Sequence, residues 1–129
     1  MLTYNRPRSL HRLLTSLEKS HYNFTENNPN WNIVLEIRVD GGGGEEGNWV
    51  KNVARNFKFS HGTKTLVVSD SNQGIMNAWK HAWSWRDREL FIIIEDDVEM
   101  SAWWYRAIVN MWTKYGDRLD KYYFTHLVC

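Results

Sequence analysis

The chain has little cysteine, no excess of charge of either sign and no long apolar run. Cys129 is its one cysteine, so an intramolecular disulfide and a cysteine-based zinc site are both excluded. Sixteen basic and fifteen acidic side chains leave a net charge of +1, and no global field therefore favours nucleic acid as a partner. No apolar run approaches the roughly 20 residues that cross a bilayer, so no membrane segment is predicted. Any anion-binding site must be local.

What the chain does have is enough apolar sequence for one core. Its 129 residues, 43% of them hydrophobic, correspond to a single domain spanning residues 1–129. Helical spacing of apolar residues predicts helices around Leu10–Leu17, Trp49–Phe57, Ile75–Trp83 and Trp104–Tyr115. Short apolar segments predict strands at Ile33–Val39, Lys64–Ser69, Leu90–Ile94 and Tyr122–Val128. In the last helix, we expect Ser101 to be the N-terminal cap and Gly116 the stop.

The predicted strands and helices alternate along the whole chain. This order is typical of an α/β domain with a Rossmann-like, mainly parallel sheet and helices on both faces. Only Met1 and Leu2 precede the motif "TYNRP", where a leading strand of about five residues is expected, and the last strand runs into the terminus. We therefore expect a truncated domain.

Four short polar segments follow the expected strands. Ligands of open parallel sheets bind beyond the carboxyl ends of the strands, so these segments should meet at one edge and form a site. The segments are Thr3–Arg6, Asp40–Gly44, Asp70–Gly74 and Glu95–Asp97.

The acidic segment Glu95–Asp97 ends the most apolar strand. Adjacent carboxylates repel one another, and a divalent cation with oxygen ligands would compensate them. If the strand continued, Glu95 and Asp97 would point to one side and Asp96 to the other. Taken alone, the acidic cluster is explained equally well by a solvated loop and by a cation site. The apolar strand before it, together with Asp40 and Arg6 at other strand ends, favours the cation site.

The four motifs together resemble a known family, the nucleotide-sugar glycosyltransferases of the GT-A fold. The likeness is to its family-two-like and N-acetylglucosaminyltransferase-like members, and in particular to their N-terminal, donor-binding half. The motifs are "LTYNRPRSLHRLLTSL", "VDGGG", "SNQGIMNAW" and "IIIEDDVEMSAWWY", and the last is similar to the acidic DXD motif. Their order and spacing agree over nearly the whole chain.

The resemblance implies a role for each matching position. A nucleoside diphosphate sugar, expected to be a UDP-sugar, would contact Thr3, Tyr4, Asn5 and Arg6 through base and ribose. Asp40 would bind the nucleoside, and Asn72 and Gly74 would shape the pocket wall. In the acidic motif, Glu95 and Asp96 would face ribose and donor sugar. Asp97 would coordinate the Mn²⁺ or Mg²⁺ that bridges the diphosphate and stabilises it as it leaves.

The family's acceptor site and catalytic base lie in a second half that has no counterpart here. The acceptor implied is a hydroxyl group of a glycan, protein or lipid, and no catalytic residue is assigned. A non-catalytic nucleotide-binding or sugar-binding module is the main alternative. A phosphorelay receiver fits poorly, because its acidic pair follows the first strand, whereas here Thr3 holds that place.

Neither the histidines nor the glycine run is predicted to bind a ligand. His61, His81 and His126 lack the close spacing of metal ligands, so surface or packing roles are predicted for them. The run "DGGGGEEG" lacks the lysine and hydroxyl residue of a P-loop and is predicted to be a flexible loop.

Overall fold

The described part of the chain forms a small α/β fold with three parallel strands and four helices. A computed structural model describes residues 1–23, 31–82 and 90–119, with side chains described up to Gly116. The strands are β1 (Leu2–Thr3), β2 (Val34–Val39) and β3 (Thr63–Val68). The helices are α1 (Pro7–Glu18), α2 (Gly44–Asn56), α3 (Gly74–Ala82) and α4 (Trp104–Leu119). Within the described ranges, no helix is both long enough and apolar enough to cross a membrane.

The sheet is parallel throughout, in the order β1-β2-β3. Leu2 pairs with Arg38, and Ile37 pairs with Leu66. On the other side of β1, the amide of Leu2 donates to the carbonyl oxygen of Ile94 at 2.8 Å, and an isolated parallel bridge joins Leu2 to Glu95. The acidic segment therefore lies beside β1, which confirms the parallel α/β arrangement.

The main core lies between the sheet and the first two helices. The leucine stripe of α1 (Leu10, Leu13, Leu14, Leu17) is almost fully buried, as its helical spacing predicts. Ile37 and Val39 of β2 are buried against it, whereas Val34 on the opposite face is 56% exposed. Val50 and Ala54 of α2 complete this core. The predicted alternation along Ile33–Val39 is thus confirmed.

The opposite face of the sheet carries α3. Arg38 and Val67, which alternate with the core-facing residues, line a small cavity together with Ala78 and His81 of α3. The sheet therefore has helices on both faces, as expected. The predicted helix is present, and Ala82 is its buried residue, whereas Ile75 at the start of the apolar spacing is 62% exposed. The end of the predicted helix at Trp83 lies outside the described residues.

The predicted strand Leu90–Ile94 is wrong as a regular strand. Among the described residues, this segment pairs with β1 through the hydrogen bond from Leu2 to Ile94 and the bridge between Leu2 and Glu95. The neighbouring strand β1 has two residues, so the apolar residues before Ile94 have little backbone to pair with. The predicted strand Tyr122–Val128 lies outside the described residues.

Helix α4 differs from its prediction at the C-terminal end. It continues through Gly116 to Leu119, and Gly116 is not among the glycines with positive φ, the conformation that ends a helix. The apolar spacing from Trp104 to Tyr115 predicts one inward face for this helix, but Tyr115 is 41% exposed. At the other end, the Ser101 hydroxyl accepts the Trp103 amide at 3.3 Å, so this residue caps the turn before α4.

Candidate functional site

The four polar segments meet at the carboxyl edge of the sheet, as the sequence predicts. Thr3 contacts Asp96, and Arg6 contacts both Asp96 and Asp97. From the second segment, Asp40 accepts hydrogen bonds from the amides of Gln73 and Gly74. Contacts between residues 3–6 and 95–97, and between residues 40–44 and 71–74, therefore build the site from parts that are distant in sequence.

The glycine run brings the first three segments close together. A Cβ at Gly41 would lie 2.4–2.5 Å from backbone atoms of Ser71, so only glycine permits this approach. A Cβ atom at Gly42 would lie 3.7 Å from the Tyr4 hydroxyl, and one at Gly43 would lie 3.3 Å from the Asn5 side chain. The run predicted to be a loop has that form only before Gly44, which begins α2, and Glu45 and Glu46 occupy the favourable first turn of the helix.

Asp96 is the buried carboxylate of the site. Its side chain is 1% exposed, and its Oδ2 accepts the hydroxyl of Thr3 at 2.5 Å. Nη2 of Arg6 lies 2.8 Å from its Oδ1, although this contact is not aligned as a hydrogen bond. A carboxylate buried to this degree is stable only beside a cation or hydrogen-bond donors. Here Arg6 is the cation and the Thr3 hydroxyl is the donor.

Asp97 lies on the surface beside the same arginine. Its Oδ2 is 3.2 Å from Nη1 of Arg6, and the two side chains are each about half exposed, at 49% and 51%. The guanidinium group therefore bridges a buried and an exposed carboxylate. The alternation expected if a strand continued through these residues does not occur, because residues 96 and 97 form a turn directly after the Glu95 bridge.

Glu95 points towards α3, away from that pair. Its Oε1 accepts the indole N–H of Trp79 at 2.9 Å. The structure therefore separates the three carboxylates into two groups, Asp96 and Asp97 at Arg6 and Glu95 at Trp79. Trp79 was predicted only as part of a helical stripe; the signal that could have identified it is its place in the motif "SNQGIMNAW", directly after the polar segment.

Asp40 joins the end of β2 to the start of α3. Its Oδ1 accepts the amides of Gly41 at 2.9 Å and Gln73 at 2.8 Å, and its Oδ2 accepts the amide of Gly74 at 3.1 Å. The Asn72 side chain also accepts the Gly74 amide, at 2.8 Å. Gly74, the first residue of α3, has a φ of +72°, which suits glycine. These carboxylate and amide groups order the loop that was predicted to form the pocket wall.

The carboxylates fit a divalent cation that has further ligands from elsewhere. Asp96 Oδ1 is a buried oxygen without an aligned hydrogen bond, and Asp97 lies beside it. In the described part of the chain, no cluster of three or more histidine, cysteine, aspartate or glutamate side chains could hold a metal ion. Magnesium commonly takes one or two carboxylates and completes its shell with phosphate oxygens and water. Asp96 and Asp97 match that requirement.

Comparison with known proteins adds no relative. No family model matches the chain, and neither the curated proteins nor the solved structures contain a significant match. The function must be argued from the site itself.

Proposed function

We propose that the protein is a metal-dependent glycosyltransferase of the GT-A type, which moves a sugar from a UDP-sugar to a hydroxyl acceptor. The observation that supports this most is the buried carboxylate of Asp96 at the carboxyl edge of a parallel sheet, with Asp97 beside it. Nucleotides bind at that edge in open α/β sheets. The resemblance of the four sequence motifs supplies the substrate class, and the acceptor would be a glycan, protein or lipid hydroxyl.

In this proposal Asp97, together with Asp96, holds Mn²⁺ or Mg²⁺. When bound, the metal would act as a Lewis acid on the diphosphate leaving group. Thr3 orients Asp96 through the 2.5 Å hydrogen bond. Trp79 orients Glu95, which would contact ribose and donor-sugar hydroxyls. Asp96, expected to share that role, is 1% exposed and is committed to Thr3 and to the cation. Asp40 and Asn72 hold the loop before α3 in place beside the nucleoside, which Tyr4 and Asn5 would also contact.

Titration calorimetry with UDP and Mn²⁺ tests this function. We expect UDP to bind in the presence of Mn²⁺, and Asp97→Ala to weaken that binding by about tenfold or more, because it removes a metal ligand. Glu99→Ala is the matched control: it removes an exposed carboxylate two residues away, and the affinity should stay at the wild-type value.

Three other outcomes would count against the proposal. Absence of UDP binding with Mn²⁺, or equal UDP affinity in wild type and Asp97→Ala, would exclude a metal-dependent nucleotide site at these carboxylates. Binding without sugar transfer or donor hydrolysis would instead identify a non-catalytic nucleotide-binding module. Mass spectrometry of the donor and of candidate acceptors after incubation separates that module from a transferase.

A further inference from the structure

We propose that Arg6 and the divalent metal compete for the same carboxylate oxygens, so that metal binding releases the Arg6 guanidinium to the diphosphate. This inference rests on the proposed function, since it concerns the same site. It adds an exchange step. Without the metal, Arg6 neutralises the two carboxylates; with the metal bound, Arg6 contacts the diphosphate of the nucleotide.

Arg6 contacts the carboxylate oxygens of Asp96 and Asp97 that a metal ion would need. Asp96 Oδ2 accepts the Thr3 hydroxyl, which leaves Oδ1 as its oxygen for a cation. Nη2 of Arg6 lies 2.8 Å from that oxygen, and Nη1 lies 3.2 Å from Oδ2 of Asp97. A metal ion shared by these two oxygens would need the place between them. The guanidinium group of Arg6 is in that place.

Arg6 can leave this position when a metal ion replaces its positive charge beside the buried Asp96. Its side chain is 51% exposed, and an ion pair with a half-exposed partner such as Asp97 contributes little to stability. The Nη2 contact to Asp96 is close but not aligned as a hydrogen bond. A divalent ion at the two carboxylates would also repel a guanidinium group a few ångströms away. Exchange is therefore favourable once a metal ion arrives.

The guanidinium group of Arg6, once released, is chemically suited to a diphosphate. A guanidinium group presents a planar set of donors that fits two phosphate oxygens at once, which makes arginine well suited to diphosphate. Arg6 immediately precedes α1, so its backbone stays at the carboxyl edge of the sheet while the side chain moves. The metal would then neutralise the carboxylates in place of Arg6, and the positive charge of Arg6 would neutralise the diphosphate.

Substitution of Arg6 should change the affinity for metal alone and for the nucleotide complex in opposite directions. We expect Arg6→Gln to bind Mn²⁺ about tenfold more tightly than wild type without nucleotide, because the competing charge is gone. In the presence of Mn²⁺, the same variant should bind UDP about tenfold more weakly, because a charge-assisted contact to diphosphate is lost. Electron paramagnetic resonance of free Mn²⁺ measures the first affinity, and calorimetry with UDP measures the second.

Two variants control the measurement. Arg12→Gln removes an exposed arginine of α1 for which no ion pair is found among the described residues, and both affinities should remain at the wild-type values. Arg6→Lys keeps the charge but cannot contact both carboxylates as a fork, so its Mn²⁺ affinity should lie between wild type and Arg6→Gln. This variant also serves if Arg6→Gln fails to fold.

The exchange is overturned if Arg6→Gln, or Arg6→Lys in its place, binds free Mn²⁺ no more tightly than wild type. Equal Mn²⁺ affinities with normal, Asp97-dependent UDP binding would reject the exchange and leave the proposed function intact. If neither wild type nor the Arg6 variants bind Mn²⁺ or UDP, both proposals fail. In the wild type, Mg²⁺ with UDP should shift the side-chain ¹⁵N resonance of Arg6, and an unchanged resonance would also reject the exchange.

Discussion

At the scale of single residues, Asp96 connects the stability of the fold to the candidate site. Thr3, Ser20 and Asp96 are the buried polar residues of the described chain, and Asp96 is the one with a charge. Its two contacts come from Thr3 in β1 and from Arg6 just before α1. The carboxylate that would bind the metal is therefore held by groups 93 and 90 positions earlier in the chain. Loss of either group should be measurable in stability as well as in binding.

Thr3→Val should destabilise the protein by about 1.5–3 kcal/mol, the usual range for a lost hydrogen bond to a charged group. Valine has nearly the same shape as threonine, so the change removes the hydroxyl and leaves Oδ2 of the buried Asp96 without its donor. Urea unfolding at neutral pH measures the effect. Thr3→Ser keeps the hydroxyl and should retain most of the stability, and equal loss in both variants would show that packing of the Thr3 methyl group is what matters.

At the scale of elements, the site depends on contacts that join the end of one element to the start of another. Asp40 follows β2, yet it accepts the amides of Gln73 and Gly74 at the start of α3. Lys64 of β3 similarly donates to the carbonyl oxygens of Ala54, Arg55 and Phe57 at the end of α2. Helix ends have unpaired backbone groups, and here side chains from other elements satisfy them.

Asp40→Asn should destabilise the protein by about 1–3 kcal/mol, because one amide oxygen cannot replace two carboxylate oxygens that accept three backbone amides. At least one of the amides of Gly41, Gln73 and Gly74 loses its acceptor. Hydrogen exchange should show faster exchange confined to residues 73–78 and the adjoining loop. Asp70→Asn removes an exposed carboxylate from the same loop; a similar effect there would show that loop charge, rather than hydrogen bonding, controls α3.

At the scale of the whole molecule, two apolar clusters formed by the described residues hold the layers together. The larger lies between the sheet, α1 and α2. The smaller contains Tyr22, Tyr105 and Val109 and attaches the end of α1 to α4. Tyr22 is 5% exposed, donates to the Leu17 carbonyl oxygen at 3.0 Å, and has a ring centroid 4.2 Å from that of His61. Burial raises the pKa of Tyr22 above its ordinary value of 10, and it raises the pKa of Tyr105 in the same direction.

The free energy of unfolding should therefore fall as the pH rises above 10. Above that pH the unfolded chain releases the Tyr22 proton while the folded chain retains it, so ionisation favours the unfolded state, by up to about 1.4 kcal/mol per pH unit. Tyr22→Phe removes this ionisation and should make the decline between pH 10 and pH 11 shallower. Urea unfolding across this range measures both slopes. Tyr115→Phe, at an exposed position, should keep the wild-type slope; identical slopes in Tyr22→Phe and wild type would contradict the expectation.

The sequence by itself determined the alternation of elements, the leucine face of α1, and which polar segments meet at the sheet edge. Those features follow from local periodicity and from the rule that parallel strands end at one edge. Only the tertiary structure decided how the carboxylates are distributed, with Glu95 at Trp79 and Asp96 and Asp97 at Arg6. Side-chain direction in a turn depends on backbone angles and on partners as distant as 93 positions, as for Thr3 and Asp96, and no local pattern contains that information.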